Sequence, residues 1–148
     1  MPFSSDILWK NAFQYTNYDL LSLEQFQLGG ISNVRGYDPA AFAGDSGITS
    51  SFDWSFPVYF LSKDAIVPGS KTTFYDATRL VIFYDVGYAS LHSPTGTEQP
   101  DETLQSLGYG IRFNLVEDFS ARVEVAYPLA PQGETSHAHL YWDFSKKF

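Results

Sequence analysis

One short run of the sequence could hold a reactive serine: Gly44-Asp45-Ser46-Gly47. A serine nucleophile needs a histidine base within hydrogen-bond reach and a third group that orients the base. In enzymes with this kind of run the histidine and the aspartate precede the serine. Here all three histidines follow it, at His92, His137 and His139. We therefore expect Ser46 to lie in a flexible turn and the protein not to be an enzyme.

The other candidates for metal or cofactor chemistry are weak. The sequence has no cysteine, which excludes thiolate metal sites and cysteine nucleophiles. His137 and His139 are two positions apart on one face of a predicted strand, but no third ligand accompanies them. The net charge of -8 argues against nucleic acid as a partner, because phosphate binding needs a basic face. We expect no cofactor, no metal site and no nucleic acid.

The run Val34-Arg35-Gly36-Tyr37 offers a different chemistry, recognition of a carboxylate inside the protein. A guanidinium engages a carboxylate through two parallel hydrogen bonds, a geometry that lysine cannot reproduce. Gly36 allows a sharp turn directly after the arginine, and Tyr37 adds a rigid ring with a polar tip. A carboxylate that faces inward from a neighbouring element would complete such a site.

The elements that must position these residues are predicted to be β-strands. Apolar and polar residues alternate with period two through most of the sequence, which indicates strands with one apolar face. In 51–56, for example, three aromatic residues alternate with two serines and an aspartate. The six predicted strands are 7–16, 51–56, 79–88, 107–115, 119–127 and 138–148.

The composition of the two strand faces favours a membrane β-barrel over a soluble β-sandwich or lipocalin-like, ligand-binding β-protein. Aromatic residues make up 18% of the chain, and charged residues make up 18%, below the roughly 25% of typical soluble domains. Segments of about 9 to 11 residues suffice for a tilted strand to cross a bilayer. The polar faces carry both signs of charge, as suits a wet lumen: Lys10, Asp53, Arg79, Asp85, Arg112, Arg122, Glu124 and Lys147.

The predicted connections alternate in length, as they do in outer-membrane barrels. The turn at 116–118 is short, whereas 89–103 and 128–136 are polar and rich in Pro, Gly and Glu. The segment 58–78 is the exception, since it is longer than a short turn should be. The chain has no apolar run of the roughly 20 residues that a membrane-spanning helix needs. The N-terminus does not read as a signal peptide, so an exported protein would carry its targeting segment upstream.

Five motifs, in order, resemble the haemolysin secretion/activation (ShlB/FhaC-type) family, the transporters of two-partner secretion. This family belongs to a wider superfamily of outer-membrane barrels with polypeptide-transport-associated domains. The motifs are FQLGGISNVRGY (26–37) with AGDSG (43–47), DWSFP (53–57), IFYDVGY (82–88), LGYGIRF (107–113), and VEVAYPL (123–129) followed by a strand that ends in Phe148. The resemblance covers essentially the whole chain.

The resemblance implies that residues 1–148 are the C-terminal part of an outer-membrane β-barrel transporter domain, about six antiparallel transmembrane strands of a sixteen-stranded barrel. The loop with Val34, Arg35, Gly36 and Tyr37 would fold into the barrel, where Arg35 meets Asp85. The strand motif facing the loop would be Phe83, Asp85 and Gly87. Asp53, where the family usually has Glu, is a candidate lumen acid. The C-terminal assembly signal would comprise Leu140, Trp142, Phe144 and Phe148.

The function implied by the resemblance is an outer-membrane pore that translocates a large partner polypeptide, an adhesin or haemolysin, to the bacterial cell surface. Expected partners are the exported polypeptide, the remaining strands and periplasmic domains of the barrel, the outer-membrane assembly machinery and the lipid bilayer. Two related alternatives stay open: an outer-membrane protein assembly factor, and the barrel anchor of a patatin-type lipase. Upstream sequence would separate them, because two transport-associated domains favour secretion, about five favour assembly, and a G-x-S-x-G hydrolase favours the lipase.

Overall fold

The period-two segments form one antiparallel sheet, which confirms the expected all-β fold. A computed structural model describes residues 5–115, 119–129 and 137–146. Its elements are β1 (Asp6–Gln14), β2 (Phe26–Leu28), β3 (Phe42–Gly44), β4 (Ser46–Pro57), α1 (Phe74–Ala77), β5 (Thr78–Ser90), β6 (Asp101–Leu115), β7 (Phe119–Pro128) and β8 (His139–Lys146).

Among the described residues, the large sheet contains six strands in the order β1-β4-β5-β6-β7-β8, and every neighbouring pair is antiparallel. Strands β2 and β3 form a separate two-stranded sheet within the long connection between β1 and β4. Within the described residues the large sheet is open, with β1 at one edge and β8 at the other. Each of these edge strands is hydrogen-bonded on one side by the sheet, so its other side is available for further strands.

The two faces of the large sheet differ as the alternation predicts. One face, called here the outer face, is a band of exposed aliphatic and aromatic side chains. Its members are Ile48, Phe52, Trp54, Ile82, Tyr84, Tyr88, Leu107, Tyr109, Ile111, Val123, Tyr127, Leu140, Trp142 and Phe144. The opposite, inner face is covered by the β1–β4 connection. Its buried members are Thr49, Asp53, Val81, Phe83, Asp85, Ala89, Leu104, Ser106, Glu124 and Ala126.

The strands extend further than predicted at one end of the sheet, and there the sequence analysis was wrong. The range 89–103 was expected to be a polar loop, but β5 continues to Ser90 and β6 begins at Asp101. The strands extend further because the inner face, which was expected to be polar, carries an apolar residue at this end. Leu104 is fully buried on the inner face, where it packs with Leu28 and Val34 of the covering loop.

The long segment between β4 and β5 contains local structure that alternation does not reveal. Ile66 and Thr73 form an isolated antiparallel bridge. Thr73 then caps the short helix α1, because its side chain accepts a hydrogen bond from the backbone N–H of Asp76. In the described part of the chain, no helix is both long enough and apolar enough to span a membrane.

Candidate functional site

The β1–β4 connection, residues 15–45, lies against the inner face of the sheet and carries the Val-Arg-Gly-Tyr run at its tip. Strands β2 and β3 pair within it, and the backbone N–H of Gly30 donates to the carbonyl of Tyr37 at 3.1 Å, which closes the tip. Leu28, Val34 and Tyr37 form a buried cluster with Ala89 and Leu104 of the sheet. The tip is therefore packed on the sheet, and we call this connection the inner loop.

The structure brings Arg35 and Asp85 together. The Nε atom of Arg35 donates to Oδ2 of Asp85 at 2.7 Å, and Nη2 donates to Oδ1 at 2.8 Å. The backbone N–H of Arg35 also donates to Oδ2, at 3.1 Å. Arg35 is 5% exposed and Asp85 is fully buried. This is the bidentate, charge-assisted geometry that an arginine forms with a carboxylate.

Two further carboxylates surround the same guanidinium. Nη2 of Arg35 donates to Asp53 at 2.6 Å, and Nη1 donates to Glu124 at 3.1 Å. The guanidinium carbon lies 3.5 Å from the centre of the Phe83 ring, a cation–π contact between two buried side chains. The acids Asp53, Asp85 and Glu124 stand on β4, β5 and β7, and we call them the carboxylate cluster.

A second arginine enters the cluster from β6. The Nε atom of Arg112 donates to Glu124 Oε1 at 2.7 Å, and its Nη2 donates to Asp53 Oδ2 at 2.6 Å. Together with Arg35 and Arg112, the carboxylate cluster forms an ion-pair network of three acids and two arginines. Removing one member of such a buried network leaves its partner charge uncompensated, which typically costs about 3–5 kcal/mol.

The strand motif facing the loop provides both the contacts and the space for the tip. Phe83 stacks under Arg35, and Asp85 binds it. A Cβ atom on Gly87 would lie 2.8 Å from both Leu28 and Val34 of the inner loop. Only glycine at this position lets these two side chains approach the strand so closely.

The glycines of the 107–113 motif make room in the same way on β6. Gly108 faces Phe83 across the β5–β6 pair, and a side chain there would collide with the aromatic ring. Gly110 faces Glu124 across the β6–β7 pair, and a Cβ there would lie 2.6 Å from the Glu124 side chain. The two glycines thereby leave room on the inner face for Phe83 and Glu124, two of the residues that contact Arg35.

The remaining residues of the tip contact the far side of the sheet. The backbone N–H of Gly36 donates to the hydroxyl of Tyr141 on β8 at 2.9 Å. The hydroxyl of Tyr37 donates to the backbone carbonyl of Gln105 at 2.7 Å. Gly36 has a φ of 92°, a conformation that favours glycine. The tip therefore spans the sheet from β4 to β8.

Asp45, from the run first considered for serine chemistry, anchors the other end of the inner loop. Its Oδ1 accepts from the backbone N–H of Leu20 at 2.9 Å and from Gln25 at 3.1 Å, and its Oδ2 accepts from the N–H of His92 at 2.8 Å. Burial opposes ionisation, but these hydrogen bonds outweigh it and hold the pKa of Asp45 below its usual range. Ser46 donates to the backbone carbonyl of Thr16 at 3.2 Å. Ser46 is the first residue of β4, so the expectation of a flexible turn there was wrong, and the run is a structural junction between three segments.

The proposed assembly signal is described only in part. Leu140, Trp142 and Phe144 are exposed on the outer face of β8, while Tyr141 between them points to the inner face. Phe148 lies outside the described residues. Its predicted role, like that of its three companions, stays a prediction.

Sequence reasoning named Arg35, Asp85 and Asp53 but did not assign Arg112 and Glu124 to the site. Both stand on the polar strand faces, so alternation places them in the lumen, but it gives no distance between residues on different strands. The pairing register of the strands supplies these distances, because it sets Gly110 opposite Glu124 and Phe83 opposite Gly108.

The site is suited to holding the inner loop in place rather than to catalysis or metal binding. Two guanidinium groups occupy the space between the acids. The described residues contain no group of three or more metal-ligating side chains that could hold an ion. The ion pairs of Arg35 instead join the loop to β4, β5 and β7, and hydrogen bonds of the tip reach β6 and β8, so the arrangement can act as a latch.

The sequence is similar to known proteins, and this similarity indicates its family independently of the structure. The sequence profile of the family described as "Haemolysin secretion/activation protein ShlB/FhaC/HecB" matches residues 2–113. The Heme/hemopexin transporter protein HuxB of Haemophilus influenzae strain 86-028NP is 28% identical over 135 residues, covering 87% of this chain and 21% of the relative. The protein of the same name from Haemophilus influenzae strain ATCC 51907 / DSM 11121 / KW20 / Rd is 26% identical over 136 residues, with the same coverage. The chain spans about a fifth of the length of the curated relatives it matches.

Proposed function

Because the chain belongs to the haemolysin secretion/activation protein family, we propose that it is the C-terminal part of a bacterial outer-membrane β-barrel that translocates a large partner polypeptide to the cell surface. Residues 1–148 would form part of the barrel wall together with the inner loop. The proposal concerns a class of cargo, an adhesin or haemolysin polypeptide, and not a particular one.

The observation that carries the proposal is the latch of the inner loop on the inner face. A pore wide enough for a polypeptide must be closed at rest, and a loop held inside it provides that closure. The latch consists of polar contacts to Asp53, Asp85 and Glu124, which can be exchanged for water when the loop leaves. Apolar contacts of Leu28, Val34 and Tyr37 with Ala89 and Leu104 add to the docking and would be broken together with the latch.

The outer face and the open edges support residence in a membrane. The outer face presents a continuous exposed apolar and aromatic band on the strands β4 to β8, as lipid-facing barrel strands do. Unpaired strand edges are not tolerated in lipid, so β1 and β8 require further strands of the same barrel as neighbours.

A barrel of this kind has further partners in the proposal. They are the exported polypeptide, the other barrel strands, periplasmic domains of the same protein, the outer-membrane assembly machinery and the lipid bilayer. Catalysis and a cofactor play no part in it. Nucleic acid is not a partner either, because the net charge of -8 would repel phosphate.

The experiment that tests the function is deletion of the full-length gene in its host, followed by complementation. We expect the partner polypeptide to disappear from the cell surface while the other outer-membrane proteins keep their abundance. Broad loss of outer-membrane proteins would instead identify an assembly factor. Normal surface display of every candidate partner would contradict the proposal. Complementation with a gene lacking residues 26–44 is the matched control, because it removes β2, the tip of the inner loop and β3 and keeps the six strands of the large sheet.

A further inference from the structure

Arg112 and Arg35 divide two carboxylates of the cluster between them, one oxygen each. Arg35 uses Oδ1 of Asp53 and Oε2 of Glu124, at 2.6 and 3.1 Å. Arg112 uses the other oxygens, Oδ2 of Asp53 and Oε1 of Glu124, at 2.6 and 2.7 Å. Asp85, in contrast, forms its ion pair with Arg35 and is not shared between the two arginines.

The two arginines belong to different structural elements. Arg35 sits at the tip of the inner loop, whereas Arg112 belongs to β6, a strand paired on both sides within the sheet. Arg112 is also the more exposed, with 23% of its side chain accessible against 6% for Arg35. Withdrawal of the loop would therefore remove Arg35 and leave Arg112 in place.

We propose that Arg112 is the resident counter-cation of the latch: it keeps Asp53 and Glu124 paired when the loop leaves, and thereby makes the docked loop releasable. With Arg112 present, the vacated cluster holds three acids and one arginine, a net charge of -2. Without it, the vacated cluster holds a net charge of -3, and Arg35 is attracted back more strongly. The inference rests on the proposed function, since release matters only if the loop must leave a pore.

A purely structural role for Arg112 predicts the opposite sign. If Arg112 only orients Asp53 and Glu124 for Arg35, its loss would disorder both acids and loosen the loop. The counter-cation role predicts a loop that stays docked for longer after the charge is removed. The direction of the change therefore separates the two roles.

The inner loop contains its own reporter of release. Arg35 is the one lysine or arginine in residues 15–45, so trypsin cleaves the loop between Arg35 and Gly36. Both residues are buried when the loop is docked. The rate of cleavage at this bond, divided by its rate in the denatured chain, measures the fraction of time that the loop is released.

The test uses the full-length protein inserted in lipid vesicles, with cleavage at 35–36 followed by mass spectrometry. We expect Arg112→Gln to slow this cleavage at least about fivefold, since one like charge near Arg35 is lost in a medium of reduced dielectric. Arg112→Lys, which keeps the charge, should stay within about twofold of the unchanged protein. The matched control is Arg122→Gln, because Arg122 faces Arg112 across the strand pair but pairs with Asp143 at 3.6 Å.

Equal or faster cleavage in Arg112→Gln would overturn the proposal. If that variant does not insert, Arg112→Lys still decides, because a change above about twofold in either direction would mean that geometry rather than charge matters. In the double variant Arg112→Gln/Glu124→Gln the vacated cluster again has a net charge of -2, so cleavage should return toward the original rate. Loop cleavage is measured without any exported polypeptide, so its result can be interpreted even if the transport proposal fails.

Discussion

Arg35 and Asp85, fifty positions apart in the chain, are joined by two parallel hydrogen bonds of 2.7 and 2.8 Å. The pair links the tip of the inner loop to the strand β5 at the middle of the sheet. Around it, Asp53 and Glu124 supply the other acceptors, and the Phe83 ring lies under the guanidinium. We infer that this contact holds the proposed pore closed.

Replacing Arg35 should impair export without removing the barrel from the membrane, because a loop that no longer docks on the inner face would remain loose in the path of the exported chain. Arg35→Ala leaves three buried acids with one arginine, whereas the outer face is untouched. Arg35→Lys keeps the charge but loses the bidentate geometry, so it should restore export only in part. The measurement is surface display of the partner beside heat-modifiable mobility of the folded barrel. Arg122→Ala and Arg122→Lys are the matched controls. Full export by Arg35→Ala would be evidence against a role for the latch.

Gly87 should be needed for close docking of the inner loop. In Gly87→Ala the new methyl group would lie 2.8 Å from Val34 and Leu28, an overpacking that typically costs about 1–3 kcal/mol. The cleavage rate at Arg35 should rise accordingly. Adding Val34→Ala makes room for the new methyl group and should recover part of the loss. If the two changes act additively, Gly87 and Val34 do not oppose one another.

Asp45 should stabilise the protein at neutral pH and cease to do so in acid. Its pKa in the folded state is lowered, so the stabilisation is complete above the unfolded value near 3.9 and is lost as the pH falls through the folded value. Asp45→Asn should therefore lower the denaturant midpoint at pH 7, and the difference from the unchanged protein should shrink below about pH 4. Asp19→Asn, an exposed acid in the same loop, is the control. A difference that stays constant down to pH 2 would contradict this assignment.

The tryptophans should report lipid rather than water. Trp9 and Trp142 are each 67% exposed in the described chain, and Trp54 is 45% exposed on the outer face. Exposed tryptophan at this density fits a lipid-facing band. In single-tryptophan variants of the inserted protein, the emission should shift to the blue and be quenched by brominated lipid. Quenching by aqueous iodide alone would place this face in water.

Phe148 should act in barrel assembly. In the sequence it stands an even number of positions after Leu140, Trp142 and Phe144, and such a terminal aromatic is expected to be recognised by the assembly machinery. Deletion of Phe148 in the full-length protein should lower insertion, measured by heat-modifiable mobility, whereas Phe148→Tyr should insert normally. Equal insertion of the deletion variant would refute the role.

The sequence was sufficient for the sheet because period-two alternation is a local signal. Each strand face could be assigned from neighbours two positions away, and this placed Asp53, Asp85, Arg112 and Glu124 on one face. Alternation failed at Leu104, which is apolar on the inner face because it packs on the inner loop. It also could not show that Arg35 contacts three strands at once. That depends on register and on the space left by Gly108 and Gly110, which are properties of paired strands.

The structure also changes how the Arg35–Asp85 contact should be tested. Exchanging the two charges would place an aspartate at position 35 beside Asp53 and Glu124. The exchange would fail through repulsion even if the two residues meet. Neutral replacements avoid this problem, because they remove the pair without adding a new repulsive contact.

The most direct test of the latch is a double-mutant cycle with Arg35→Ala and Asp85→Asn in the full-length protein. The measurement is chymotrypsin cleavage of the inner loop after Tyr37, which is 6% exposed when docked, converted to a free energy of loop release. If Arg35 and Asp85 hold the loop together, either single change speeds cleavage strongly and the second adds little, a coupling above about 1 kcal/mol. Strictly additive effects of the two changes would mean that the pair does not hold the loop.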